Sequence, residues 1–328
     1  MVRLTPPAFW TNPQARFWPA LLAPLAWGVA NVTRSRMRRS GWLAPVPVLC
    51  CGNVSVGGVG KTTVVIDLVQ RLSARGRCAH VLTRGYGGRE TNGIRVNPAR
   101  HTARQVGDEA LLLAKYCPVW VGGDRSVTAR HAVEAGADCL IMDDGFQNPF
   151  LQKTFSLLVV DGAVGFGNGR VLPAGPLREK IGDALARANA LLMIGADQTG
   201  AVGHNAALPV LWADLDQGDI PQSIVSRPCV AFAGIGRPEK FFKGLRGAGL
   251  SLVRTLSYPD HYAYKQRDFE RLLALANGLD AQLVTTPKDA MRLPPGFRKN
   301  VVEVGVRLVW QDQKVPERLL DMFLALPV

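Results

Sequence analysis

From Val46 onward the chain alternates short apolar runs with longer amphipathic stretches. This alternation predicts an α/β fold with a mostly parallel sheet flanked by helices. The predicted strands are Val48–Cys51, Ala79–Thr83, Cys139–Met142, Ser156–Val160, Leu191–Ile194, Cys229–Ala233, Leu283–Thr285 and Val301–Val306. The predicted helices are Thr62–Ala74, Gly107–Tyr116, Arg125–Ala135, Glu239–Ala248, Arg267–Ala276 and Glu317–Leu326. Polar, Pro and Gly residues between Gly195 and Arg227 predict a boundary between a larger lobe, residues 46–225, and a smaller α/β lobe, residues 226–328.

The first 45 residues follow a different pattern. An apolar run from Phe17 to Val32 is interrupted by two prolines and is shorter than the roughly 20 residues that span a bilayer. Four arginines follow it within seven residues, at 34, 36, 38 and 39. One interpretation is an ordinary packing helix with a solvated basic face. The favoured one is a helix lying in the interface of an anionic membrane, because aromatic and basic residues are both concentrated here.

The net charge of +13 predicts an anionic partner. Six basic residues and no acidic one precede Pro45, so this stretch holds almost half of the excess. Outside it no basic stripe alternates with stacking aromatics, and nucleic acid is therefore not an expected partner. The six cysteines form no CxxC pair and the five histidines are scattered, which argues against a disulfide scaffold or a zinc site and favours a cytoplasmic location.

A glycine-rich segment follows the first predicted strand. Residues 52–63 read GNVSVGGVGKTT, which matches the end of the GxxxxGK[ST] phosphate loop but has Ser55 at its first glycine position. Lys61 is expected to reach the β- and γ-phosphates of ATP, and the Thr62 hydroxyl to bind Mg²⁺. The whole predicted nucleotide cradle comprises Ser55, Gly57, Gly58, Val59, Gly60, Lys61, Thr62 and Thr63.

A second signal is the apolar strand that ends in Asp143 and Asp144. After a phosphate loop, such carboxylates at the end of a parallel strand predict a Mg²⁺ partner. Asp108 and Glu109 open another predicted helix, where they are either a base or a cap favoured by the helix dipole. His261, between aromatics and a carboxylate, is by itself more typical of a structural histidine.

Taken together, these motifs resemble the tetraacyldisaccharide 4'-kinase family. The stretches that carry the resemblance are GNVSVGGVGKTT (52–63), TRGYGG (83–88), GDEALLLAK (107–115), MDDGFQ (142–147), NGRVLPAGPLRE (168–179), YPDHY (258–262) and TTPKDAMRL (285–293). The resemblance implies transfer of the γ-phosphoryl group of Mg-ATP to the 4'-hydroxyl of a tetraacyldisaccharide 1-phosphate at the cytoplasmic face of the inner membrane. It also implies a P-loop lobe, a smaller lobe that closes over the nucleotide, and an N-terminal helix that binds the membrane, with no obligate protein partner expected.

Site roles follow from the same resemblance. It implies that Asp108 is the base for the sugar hydroxyl, paired with His261 from the other lobe, and that Glu109 lies near the metal. It makes Asp143 and Asp144 the Walker-B-like carboxylates. The remaining cleft residues that it implies are Arg84, Tyr86, Arg125, Arg178 and Glu179.

The competing interpretation is a regulatory P-loop ATPase or GTPase of the partitioning or metallochaperone type, whose loops also read GGVGKTT. Members with the deviant motif have a lysine directly before the two glycines, where this chain has Val56. That class leaves the motifs at 107–109, 168–179 and 258–262 unexplained.

Overall fold

The computed structural model describes residues 7–12, 14–204 and 207–327 of the 328-residue chain. Residues 1–6 and Pro13 of the predicted N-terminal segment therefore lie outside the described residues. The strands are β1 Val48–Gly52, β2 Ala79–Thr83, β3 Asn92–Arg95, β4 Val119–Gly122, β5 Cys139–Asp143, β6 Phe155–Asp161, β7 Ala190–Ile194, β8 Val210–Gln217, β9 Cys229–Ala233, β10 Leu252–Ser257, β11 Gln282–Thr285, β12 Val301–Glu303 and β13 Val306–Trp310.

The α-helices are α1 Phe17–Leu21, α2 Ala23–Met37, α3 Lys61–Ala74, α4 Ala103–Val106, α5 Asp108–Leu113, α6 Arg125–Glu134, α7 Ile181–Leu185, α8 Gln222–Val225, α9 Pro238–Gly247, α10 Gln266–Gly278, α11 Pro287–Ala290, α12 Pro295–Arg298 and α13 Val315–Ala325. Short 3-10 helices cover Ala8–Trp10 and Ala201–His204.

Two sheets organise these elements, which confirms the predicted fold class. The larger has nine strands in the order β13-β8-β7-β6-β1-β5-β2-β4-β3, and the smaller has four parallel strands in the order β10-β9-β11-β12. In the larger sheet the pairs β13–β8 and β3–β4 are antiparallel, whereas the other neighbours are parallel. Strand β1 lies between β5 and β6, so the loops after β1 and β5 meet at the same edge.

Helices cover both faces of the larger sheet because the central strands are apolar on both sides. In β1, Leu49 and Cys51 pack into a core with α3, α5 and α13, and Val48 and Cys50 into a core with α2, α6 and α7. The smaller sheet is covered by α9 on one face and α10 on the other. Each lobe is thus a sheet with helices packed on both of its faces.

The C-terminal end of the chain returns to the larger sheet. The predicted strand Val301–Val306 is in fact two strands, because β12 pairs with β11 in the smaller sheet while β13 pairs with β8 in the larger one. Trp310 then donates a hydrogen bond from Nε1 to Asp67 on α3 at 2.8 Å, and Arg71 pairs with Glu317 on α13 at 2.7 Å. Residues 306–327, which the sequence pattern assigns to the smaller lobe, are therefore built onto the larger one.

Other differences concern short or exposed elements. The predicted helix from Gly107 to Tyr116 is shorter in the structure, as α5 covers only Asp108–Leu113. Gly107, with φ 88°, separates it from α4, a helix that the sequence pattern does not predict. The sequence pattern does not predict strands β3, β4, β8 and β10. Strands β3 and β10 lie at sheet edges, where buried and exposed residues do not alternate regularly and the hydrophobic pattern is weak.

The N-terminal apolar run is helical, forming α1 and most of α2. Only Pro19, Ala26 and Ala30 of these helices are buried, while Trp18 and Trp27 expose 54% and 68% of their surface. Arg34 docks α2 on the larger lobe through two 3.0 Å hydrogen bonds to Asp183. Within the described parts of the chain, no helix combines the length and apolarity needed to cross a membrane.

Candidate active site

The loop between β1 and α3 has the backbone of a phosphate cradle. Gly57 and Gly60 have φ of 124° and 90°, conformations that favour glycine, and Gly60 is the N-cap residue directly before α3. Ser55 is nearly buried, pairs with Leu177 as an isolated bridge, and has no positive φ. The serine at the first motif position therefore needs no glycine conformation, and the N-terminus of a 14-residue helix points its free N–H groups at this loop.

Lys61 is held at the mouth of the loop by two oxygen atoms. Its Nζ donates to Asn53 Oδ1 at 2.9 Å and lies 3.6 Å from Asp144 Oδ1. Asp144 also accepts from Arg178 at 2.9 and 3.0 Å. Burial raises the pKa of Asp144, but Lys61 and Arg178 outweigh it, so that the pKa is lowered and the carboxylate stays charged.

Asp143, the neighbour of Asp144 in the chain, is much more deeply buried. Its side chain is 1% exposed, and its Oδ1 has no hydrogen-bond partner among the described residues. Burial first, and then the neighbouring Glu109 carboxylate, raise the pKa of Asp143 to about 7. An orphaned carboxylate oxygen next to a second carboxylate is a favourable position for a cation.

Asp108 and His261 come from different lobes and meet across the cleft. Asp108 opens α5, and His261 follows β10 with φ 52°, an unusual backbone for a non-glycine residue. His261 Nδ1 lies 3.1 Å from Asp108 Oδ2, and Arg292 Nε lies 3.0 Å from the same oxygen. Burial raises the pKa of Asp108, but the His261 hydrogen bond, Lys288 and Arg292 together lower it below its ordinary value.

Two cations at this contact were not assigned a role from the sequence. Lys288 Nζ donates to Glu109 Oε1 at 2.9 Å and lies 3.3 Å from His261 Nε2. Arg292 is almost buried, donates to the backbone oxygens of Tyr262 and Gly234 at 3.1 and 2.9 Å, and pairs with Asp289 at 2.9 Å. Both belong to the stretch TTPKDAMRL, whose position in the resemblance was the one available signal.

Other predicted residues surround these two clusters at different depths. Arg125 is buried, donates to the Gly122 backbone oxygen, and has its pKa lowered to about 10 by burial despite the attraction of Asp143 and Asp144. Tyr86 is exposed and its ring lies 5.0 Å from the His261 ring, centroid to centroid. Arg84 is exposed near Arg125.

Glu179 occupies a supporting position. It is buried, pairs with Arg187 at 2.5 Å, and accepts a hydrogen bond from Gln147 at 2.8 Å. Gln147 in turn lies 3.4 Å from Arg178. Glu179 therefore connects to the Asp144–Arg178 pair through Gln147.

The residues fit a nucleotide-bound Mg²⁺ ion. The described residues contain no group of three or more His, Cys, Asp or Glu side chains arranged to hold a metal. Mg²⁺ bound to a nucleotide, however, uses one or two carboxylates together with phosphate oxygens and water. Asp143, with its unpartnered oxygen, and Thr62 at the first turn of α3 supply such a partial site.

A parallel sheet with a phosphate loop after its central strand, an acidic neighbouring strand and a facing second lobe defines a P-loop phosphotransferase. Residues 18–324 match the profile of the family described as tetraacyldisaccharide-1-P 4'-kinase. The chain belongs to this family.

Relatives and a solved structure agree with this membership. The chain is 57% identical over 320 residues to the tetraacyldisaccharide 4'-kinase of Gluconacetobacter diazotrophicus, covering 97% of this chain and 98% of the relative. It is 52% identical over 318 residues to that of Gluconobacter oxydans, with 97% of each covered. The crystal structure of "apo" form LpxK from Aquifex aeolicus in complex with ATP superposes with a TM-score of 0.75 at 25% identity, covering 93% of this chain and 99% of that one. The family is one of ATP-dependent kinases, which favours the predicted kinase over the regulatory ATPase or GTPase.

Proposed function

We propose that this protein transfers the γ-phosphoryl group of ATP to the 4'-hydroxyl of a tetraacyldisaccharide 1-phosphate. The observation that carries the proposal is the 3.1 Å contact between Asp108 and His261, which presents a charged carboxylate from one lobe to a histidine from the other, next to a phosphate loop. Regulatory P-loop ATPases need no such base for an alcohol. The names of the relatives support the choice of substrate.

ATP binding is assigned to the loop from Ser55 to Thr63, with Lys61 at the β- and γ-phosphates. Lys61 is anchored by Asn53 and Asp144 at 2.9 and 3.6 Å, so little side-chain freedom is lost when the phosphates arrive. Arg178, paired with Asp144 at 2.9 Å, and Arg125, which interacts electrostatically with both aspartates, add positive charge. These cations balance the negative charge that spreads over the transferring group.

Thr62, Asp143 and Glu109 are the residues proposed to hold Mg²⁺ with the nucleotide, and Asp144 to orient the site beside them. Mg²⁺ held by these residues would supply positive charge against the phosphates of the nucleotide. The negative field of Asp143 and Glu109, which raises the pKa of Asp143, favours a divalent cation at this position. Lys288 donates a hydrogen bond to Glu109 at 2.9 Å and thereby restricts the position of that carboxylate.

Asp108 is proposed to accept the proton of the sugar hydroxyl. Its lowered pKa keeps it ionised at neutral pH, and in a loose transition state the hydroxyl proton is lost late, so a weak base is sufficient. His261 and Arg292 both contact Oδ2, whereas Oδ1 accepts, among the described residues, only the backbone N–H of Glu109 at 2.9 Å. The Tyr86 ring lies 5.0 Å from the His261 ring at an angle of 59° and extends this wall of the cleft.

The N-terminal helices are proposed to hold the enzyme on the cytoplasmic face of the inner membrane as a peripheral or monotopic protein. Phe17, Trp18, Leu21, Leu25 and Trp27 form an exposed apolar face, with Arg36, Arg38 and Arg39 exposed at the end of α2. Apolar and aromatic insertion combined with attraction to anionic lipid provides two binding contributions. The sequence places Arg34 among the arginines expected to attract anionic lipid, whereas in the structure it is paired with Asp183.

The reaction is tested with γ-labelled ATP and tetraacyldisaccharide 1-phosphate in neutral detergent. Label recovered in the lipid supports the kinase. Label released only as inorganic phosphate would point to an ATPase, and no release at all to a binding protein.

A further inference from the structure

A cavity of about 320 Å³ lies beside the larger sheet, between the end of α2 and the loop after β5. Its walls include Met37 and Arg39 at the end of α2, Phe146 and Lys153 in the loop, and Arg187 after α7. None of these belongs to the phosphate loop or to the Asp108–His261 contact. The cavity is therefore separate from the nucleotide site.

The lining of the cavity is cationic. Arg39, Lys153 and Arg187 all contribute to it, and no Asp or Glu is among its lining residues. Lys153 donates to the Asn148 backbone oxygen at 2.5 Å, and no described carboxylate forms an ion pair with it. Burial lowers the pKa of Lys153, and Arg187 lowers it further, as expected for two cations that share a poorly hydrated space.

Arg187, in the wall of the cavity, retains an unused hydrogen-bond donor. One of its nitrogens pairs with Glu179, its guanidinium lies 5.1 Å from the centre of the Phe146 ring, and its buried Nε has no partner among the described residues. A planar guanidinium with an unused N–H, next to an ammonium group, matches the geometry of phosphate recognition.

The cavity also connects to the active site. Arg187 and Gln147 hold the same carboxylate, Glu179, at 2.5 and 2.8 Å, and Gln147 lies 3.4 Å from Arg178. The cavity is therefore joined through Glu179 and Gln147 to Arg178, which contacts Asp144 in the candidate active site. The cavity opens next to the exposed Arg39, close to the proposed membrane-binding face.

We propose that this cavity binds a phosphate group carried by a lipid. That group is either the 1-phosphate of the substrate, an assignment that rests on the proposed function, or the headgroup phosphate of an anionic membrane lipid. Arg39, Lys153 and Arg187 are its ligands.

The test measures binding in the absence of ATP, so that its outcome does not depend on turnover. Full-length protein and Lys153→Met are titrated with detergent micelles of tetraacyldisaccharide 1-phosphate, with micelles of the analogue that has a free 1-hydroxyl, and with phosphatidylglycerol vesicles. Lys180→Met is the matched control, since Lys180 is exposed and lies outside the cavity. Arg39→Gln is a second variant that leaves the core intact.

Loss of one charge-assisted hydrogen bond is expected to weaken binding about tenfold. A tenfold loss for the 1-phosphate but not for the 1-hydroxyl analogue supports the cavity and identifies the substrate as the source. A loss only on vesicles supports it with a membrane lipid as the source. Affinities of Lys153→Met and Arg39→Gln equal to that of Lys180→Met for every probe would overturn the proposal. Failure of the labelled-ATP assay with intact binding would reject the proposed function alone.

Discussion

Lys288 Nζ lies 3.3 Å from His261 Nε2, while Nδ1 of the same ring lies 3.1 Å from Asp108 Oδ2. An ammonium group can only donate, so Nε2 is the acceptor and Nδ1 carries the proton that is donated to Asp108. Interactions with Glu109 and Asp108 raise the pKa of Lys288 although burial lowers it, so Lys288 stays charged at neutral pH. Lys288 and the ionised Asp108 thereby favour the same tautomer of His261.

Lys288→Met is expected to lower kcat about tenfold with little change in the KM for ATP, because it removes the donor to Nε2 that helps to hold the His261 ring and it releases Glu109. Lys288→Arg, which restores a donor, is expected to recover part of the loss. Steady-state kinetics of both variants are compared with Lys243→Met, an exposed lysine on α9. Equal kcat values for Lys288→Met and this control would exclude the positioning role.

Asp108→Asn is expected to lower kcat by at least about 10²-fold, the typical contribution of a general base, without a comparable rise in the KM for ATP. The pKa of wild-type Asp108 is lowered, so the carboxylate stays ionised as the pH falls below neutrality. The wild-type kcat is therefore expected to lose this base only at a pH below the ordinary Asp range. Stopped assays between pH 5 and 8 measure this. An effect confined to the KM for ATP would remove Asp108 from the base role.

Asp143→Asn is expected to abolish activity but stabilise the metal-free protein. Burial raises the pKa of Asp143 from 3.8 to about 7, so the folded protein binds this proton more tightly than the unfolded chain does. Ionised Asp143 therefore destabilises the fold fully above pH 7, and progressively less as the pH falls toward 4. The gain at pH 8 should be roughly 2–4 kcal/mol.

Denaturant unfolding at pH 8 and pH 5 measures this difference between wild type and Asp143→Asn. Adding Mg²⁺ with a nucleotide should stabilise the wild type more than the variant, because the ion binds the deprotonated carboxylate. Identical stabilities at pH 8 would contradict the account of Asp143.

Replacing Trp18 and Trp27 together by Ser is expected to weaken binding to anionic vesicles at least tenfold with little loss of thermal stability, since both side chains are more than half exposed. Vesicle flotation measures the binding. The matched control replaces Leu279 and Met322 by Ser, which are exposed apolar residues outside the N-terminal helices. Equal flotation of the two double variants would show that the N-terminal face is not the membrane contact.

The sequence predicted the parts of the site that are continuous in the chain. The phosphate loop and Asp143–Asp144 each follow an apolar run, and glycines or carboxylates at those positions carry a specific chemistry. Lys288 and Arg292 could not be assigned in this way, because their role depends on the approach of α11 to α5 from the other lobe. The passage of the chain from β12 to β13 was equally hard to predict, since a single glycine, Gly305, inside a strand pattern is also typical of a bulge within one strand.

The proposed chemistry is tested most directly by following γ-labelled ATP with wild type and Asp108→Asn in the presence of tetraacyldisaccharide 1-phosphate. The account predicts that the wild type moves label to the 4'-position of the lipid and that Asp108→Asn binds ATP with similar affinity but transfers label at least about 10²-fold more slowly. Label that reaches only inorganic phosphate, or equal transfer by the two proteins, would contradict it.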